Sequence, residues 1–161
     1  MGWPRRHTLN PMRIYLPARA ADLTSSSVSA RAAHAVTPAL RAANPGESEE
    51  DLEVPPFLAA ADASLALLGL DDVPRRLVIA ADVPTAEPAS GEDLTEVSAP
   101  EVPWSAVVSI HVDDPADGEA AALVNAAVGG DQEASEAAAE LDLLWFDISE
   151  LNQLRGLLGV A

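Results

Sequence analysis

Five consecutive apolar residues, Leu77-Val78-Ile79-Ala80-Ala81, lie between a turn at Asp71, Asp72 and Pro74 and an exit at Asp82 and Pro84. Successive strand residues point to opposite faces, so a run that is apolar at every position has to be covered on both sides. Arg75–Val83 is therefore predicted to be a strand inside a sheet with a layer against each face. Pro56–Leu68 supplies a helix for such a layer, because Phe57, Ala61, Leu65 and Leu68 share one side of a 3.6-residue period and Gly69 ends it.

Other segments follow the same logic. Met12–Leu16 opens with a strand, Ala20–Ser27 permits a short helix, and Arg31–Val36 suits either type. Thr37 before Pro38 has the pattern of an N-cap with proline at N1, which predicts a helix to about Ala43. Asn44–Glu53, with five carboxylates, reads as an exposed acidic loop. Pro84–Gly91 is a polar turn region and Leu94–Ser98 an edge strand. Over Trp104–Val112 the alternation sets Trp104, Ala106, Val108, Ile110 and Val112 against Ser105, Val107, Ser109 and His111. Asp114, Pro115 and Asp117 predict the cap of a helix whose core face is Leu123, Val124, Ala127 and Val128, with a break at Gly129-Gly130. A helix over Gln132–Glu140, a strand over Leu143–Phe146, and a final helix capped by Asp147 and Glu150 complete the chain. The predicted class is α+β, or a small α/β fold, with a mixed sheet of about five strands covered by four to six short helices.

The 161 residues suit one domain, predicted over 12–161, and the 48% apolar content includes much alanine, so Leu, Val, Ile and the few aromatics form the core. Met1–Pro11 reads as a flexible leader that precedes a possible true start at Met12. Cysteine is absent, which removes disulfides and cysteine-held zinc. No stretch reaches the roughly 20 apolar residues of a membrane-spanning helix, and the leader has no apolar core of signal-peptide type. A soluble, cytoplasmic protein is the expectation. Lysine is also absent, with alanine and arginine in its place, as expected of a GC-rich genome, and halophilic adaptation is the rival account of so many carboxylates.

Charge is unevenly placed. Residues 77–161 hold 17 of the 26 carboxylates and a single arginine, Arg155, whereas residues 1–76 hold nine carboxylates and eight arginines. With a net charge of −17, the chain repels nucleic acid and anionic lipid and draws basic surfaces. No glycine pattern of a nucleotide-binding turn occurs, and no cofactor is expected.

Met12–Ala18, Ala35–Leu40, Pro74–Pro84, Val107–Asp114 and Leu143–Phe146 together resemble a family of small uncharacterised actinobacterial proteins, over Met12 to about Leu158. The resemblance implies a start at Met12 and an actinobacterial source. It supplies no activity and no catalytic residues.

His111, near a strand end beside Asp113 and Asp114, is the candidate for acid–base chemistry, with Asp82 and Asp113 as carboxylate partners. Asp82 would sit at the C-terminal edge of a parallel sheet, where open α/β folds bind ligands. The plain alternatives are a partly exposed strand histidine, a turn aspartate and an ordinary strand exit. Arg13, Arg19, Arg31, Arg41, Arg75 and Arg76 form either a limited basic area or, more simply, pairs with nearby acids such as Asp71 and Asp72. Trp145 and Phe146, adjacent in a strand, face opposite sides, so one fills the core and the other can anchor a partner; Trp104 offers the same choice. Leu151, Leu154, Leu157 and Leu158 form a stripe on the last helix that either packs on the domain or self-associates.

Two functional expectations result. One is a non-enzymatic interaction or adaptor protein whose acidic C-terminal half meets a basic partner surface, or a second copy of the chain. The other is a small hydrolase or ligand-binding domain centred on His111.

Overall fold

The computed structural model describes residues 10–160. All but the last two residues of the leader expected over residues 1–11 lie outside that range.

Strands β1 (Met12–Ala18), β2 (Ser27–Val28) and β3 (Arg31–Ala35) come first, followed by helices α1 (Pro38–Ala43), α2 (Glu49–Leu52) and α3 (Val54–Leu67). Next are β4 (Leu77–Val83), β5 (Glu87–Pro88), β6 (Glu96–Ala99), β7 (Val102–Pro103) and β8 (Val107–Val112). Helices α4 (Gly118–Val128) and α5 (Gln132–Ala139), strand β9 (Leu144–Asp147) and helix α6 (Leu151–Leu158) close the chain. Seven strands form one sheet in the order β5-β6-β3-β1-β4-β8-β9, and β2 pairs with β7 separately. Every pairing in the main sheet is antiparallel, so the fold is α+β. The parallel edge proposed for Asp82 therefore does not exist.

The strand at Leu77–Val83 is central, as its two-sided apolar run requires. Leu77, Ile79, Ala81 and Val83 join the larger core with Ile14, Leu16, Ile110, Leu154 and Leu158. Val78 and Ala80 point the other way, to Tyr15, Ala60 and Ala61 beneath α3. The inward side of α3 consists of Pro56, Ala60, Ala61 and Ser64, all buried. Small side chains let the helix approach the sheet closely, and buried Ser64 bridges two strands, donating to Ala18 O and accepting from Leu77 N, both at 2.8 Å.

Several expectations are corrected. The acidic loop contains the single-turn helix α2, capped by Ser48, whose three acidic residues face the favourable end of the helix dipole. Strand β6 is not an edge, because β5 pairs beyond it. The cap of α4 is Asp117, which accepts from Glu119 N and Ala120 N; Asp114 instead accepts from Ala116 N in the preceding turn. Trp104–Ala106 is a 3-10 turn rather than strand, and the Trp104 indole donates to Ser25 O at 2.8 Å. Trp104 thus packs against the core and latches a loop. Leu154 and Leu158, offered as interface residues, are buried in the core, and α6 closes the sheet there. A Cβ at position 156 would meet nothing within 4 Å, so close approach does not require Gly156 there.

The alternation over β8 is broken as well. Ala80 lies opposite Ser109 but Ala81 lies opposite Val107, so Val108 is an extra residue in a bulge. Val107 thereby turns to the larger core, and Val108 joins Ser109 and His111 on the α3 side.

Candidate functional site

The bulge helps shape the α3 side of the sheet, where polar residues gather. Cross-strand register places Arg13 opposite Asp82, Tyr15 opposite Ala80, Val78 opposite His111, and His111 opposite Trp145. Since opposite residues share a face, one surface presents an arginine, an aspartate, a tyrosine, a histidine and a tryptophan in neighbouring rows. Helix α3 covers only part of it. Between its first turns and β9 lies a depression of about 320 Å³, lined by Arg13, Tyr15, Glu53, Val54, Phe57, Ala80, Val108, Ser109, His111 and Trp145. A second depression of about 440 Å³, toward α1 and α2, shares Arg13, Tyr15 and Glu53.

Within the groove the polar groups are paired. Arg13 Nε donates to Asp82 Oδ1 at 2.6 Å and Nη2 to Oδ2 at 3.3 Å. Tyr15 donates its hydroxyl to Glu53 Oε1 at 2.8 Å, and burial, then the Glu53 carboxylate, pushes the phenol up, so it stays protonated. Ser109 Oγ lies 3.0 Å from His111 Nε2. Phe57 stands edge-on to both Tyr15 and His111, with ring centroids 5.8 and 4.9 Å apart. Burial, with Arg13 adding repulsion, pushes His111 down to about 4, so its imidazole is neutral at physiological pH. With His111 neutral, the formal charges of the groove are the Arg13–Asp82 pair and the carboxylate of Glu53. Among the described residues no arginine forms an ion pair with Glu53.

The carboxylates expected to serve His111 are engaged elsewhere. Asp113 is buried and holds Arg76, its Oδ1 accepting from Nη2 at 2.7 Å and its Oδ2 from Nε at 3.0 Å and from Arg76 N at 2.7 Å. Asp82 is committed to Arg13. His34 is separated from His111 by β1 and β4, about 14 Å at ordinary strand spacing, and its Nδ1 meets Thr95 Oγ1 at 2.8 Å. Ser109 and His111 have the spacing of a nucleophile and its base, but Ser109 is only 3% exposed. Among the described residues no group of three His, Asp or Glu is placed to hold a metal ion.

The adjacent aromatics separate as strand geometry requires. Phe146 packs against the larger core, whereas Trp145 is 60% exposed at the rim of the groove. The arginines pair more than they cluster: Arg31 with Asp22 at 3.1 Å, Arg41 with Glu49 at 2.5 Å and Arg19 with Asp72 at 3.7 Å. Arg75 is buried and meets two carbonyls, those of Pro74 and Pro115.

Tyr15, Glu53 and Ser109 were not singled out from the sequence. Tyr15 and Glu53 are 38 positions apart, and nothing local to either signals the other. Ser109 did carry a signal, since it shares a strand face with His111 at a spacing of two.

This arrangement defines an α+β protein whose seven-stranded antiparallel sheet is apolar on one face and carries a half-covered polar groove on the other. The chain belongs to a family of unknown function, DUF6912, whose model matches residues 12–154. Comparisons with curated proteins and with solved structures find no match.

Proposed function

We propose that the protein is a non-enzymatic interaction module that takes a basic, extended segment of another protein along the outer edge of β9. The observation that carries this reading is Trp145, 60% exposed on a strand that ends the sheet. The two ends of the sheet differ in a way that matters. Strand β5 is two residues long and contains Pro88, which blunts an edge against pairing. Strand β9 has four residues, Leu144-Trp145-Phe146-Asp147, without proline or a basic residue.

An added strand would gain main-chain hydrogen bonds along such an edge and set alternate side chains toward Trp145. Charge selects the occupant. Glu140, Asp142 and Glu150 flank the strand and Asp147 ends it, with no basic residue among residues 140–150, and the whole chain carries −17. A second copy would bring the same charge to the same edge, so a basic segment is favoured over self-association. Hydrolysis at His111 is disfavoured, because the buried serine, the weakly basic imidazole and the engaged carboxylates leave no activated nucleophile. The lysine-free composition fits a GC-rich, actinobacterial source, and a cytoplasmic setting belongs to the same proposal as its default. Among the described residues no helix is long and apolar enough to cross a membrane.

The test is a nuclear magnetic resonance titration of the whole chain with an extended peptide alternating threonine and lysine, beside one alternating threonine and glutamate. The basic peptide should bind with amide shifts centred on Leu144–Asp147 and should weaken as salt is added. Saturable shifts centred elsewhere, or equal binding of the acidic peptide, would overturn the reading.

A further inference from the structure

The groove beside β9 has a composition suited to one kind of guest. It is lined by Tyr15, Phe57, Trp145 and His111 and by Arg13, whose guanidinium Asp82 holds, and among the described residues no arginine forms an ion pair with its carboxylate, Glu53. Aromatic faces attract a cation through their quadrupole, most strongly where water is partly excluded. A carboxylate at the same place adds a charged acceptor. An anion would meet Glu53 and the field of a chain at −17, and the guanidinium edge that Arg13 directs at Asp82 is already occupied.

We infer that this groove is a receptor for a single organic cation, the ammonium or guanidinium head of a lysine or arginine side chain, held between Trp145, Phe57 and Tyr15 against Glu53. The inference rests on the reading of β9 as a docking edge for the source of that side chain, since Trp145 belongs both to the edge and to the groove. Neutral His111 supports it, because a protonated imidazole would repel the guest, and the carboxylate of Asp82 offsets the charge that Arg13 brings to the same groove. The groove holds about 320 Å³, ample for a butyl chain with its charged head. Glu53 can accept from the guest through the lone pairs that Tyr15 leaves free.

Free small molecules test the groove without the partner. The isotope-labelled full chain is titrated with butylguanidinium chloride, butylammonium chloride and sodium butyrate, following the Trp145 indole, the His111 ring and the amides of Tyr15 and Glu53. Both cations should give saturable shifts at these groups, and butyrate should not. Glu53→Gln, which keeps an acceptor for Tyr15, should weaken the cations by about tenfold. Glu136→Gln removes the same charge from the exposed side of α5 and should leave them unchanged. Shifts with butyrate equal to those with the cations, an equal effect of the two substitutions, or no saturable shift at these groups would overturn the proposal. The two readings fail separately: a basic peptide that binds along β9 while the butyl cations do not bind removes the cation receptor alone, and the reverse removes the docking edge alone.

Discussion

At the scale of single residues, the pair formed by Arg76 and Asp113 shows how one side chain can read as functional and serve the fold. Asp113 stands two positions from His111 in sequence, yet both its oxygens are spent on Arg76, and the pair is almost wholly enclosed at the junction of β4 and β8. Removing one partner strands the other's charge away from water. Asp113→Ala should therefore cost about 3–5 kcal/mol in urea unfolding, whereas the double substitution Arg76→Met, Asp113→Leu should recover only part of that loss, because the buried backbone N–H of residue 76 still lacks its acceptor. A single variant of unchanged stability would show that the pair does not hold the strands. Trp145→Ala is the opposite case: with its ring mostly in water, its unfolding free energy should move by no more than about 0.5 kcal/mol while binding of the basic peptide falls. A large loss of stability would mean that the indole is packed rather than presented.

At the scale of elements, termini and caps were the most legible. Thr37 accepts from Leu40 N with Pro38 in the first turn, as the pattern predicts, and the capping box of Asp147 and Glu150 opens the 3-10 turn that leads into α6. These signals are local, so a few adjacent residues contain the whole interaction. The bulge at Val108 was not legible, because whether Val107 or Val108 faces the core is decided by pairing with Ala80 and Ala81 nearly thirty positions away. The groove was hidden for the same reason: its carboxylate comes from the start of α3 and its phenol from β1. The leucine stripe of α6 was visible, and packing decided its use. Leu154 and Leu158 are buried while Leu157 stays outside, so deletion of residues 150–161 should lower the melting temperature by many degrees. Leu154→Ala alone should cost about 2–5 kcal/mol. Unchanged melting with an altered oligomeric mass would assign the helix to an interface instead. Ser64→Ala offers a further check on α3, since it leaves the buried Leu77 N–H without its acceptor, and should cost about 1–3 kcal/mol by denaturant unfolding.

At the scale of the whole molecule, acidification brings two opposed effects. A chain at −17 repels itself, and that repulsion fades as the pH falls toward the isoelectric point near 4.2. The histidines act in the other direction. Burial holds His34 below its ordinary value despite the nearby carboxylates of Asp93 and Glu96, and burial together with Arg13 holds His111 at about 4. In the unfolded chain each imidazole takes up a proton near pH 6.5, while folded His111 stays neutral until about pH 4. Their contribution is therefore complete above pH 6.5 and is lost as the pH falls through that window, with the loss from His111 levelling off below about 4. For His111, allowing for its partial exposure, the loss amounts to about 2 kcal/mol. The two effects separate experimentally because salt screens the surface repulsion and leaves the buried imidazole nearly untouched. At high salt, the urea midpoint should fall between pH 6.5 and 4, and His111→Gln, which retains a partner for Ser109, should remove much of the slope. Equal slopes in the two proteins would show that His111 does not carry the acid sensitivity, and would place its ring in water rather than on the floor of the groove.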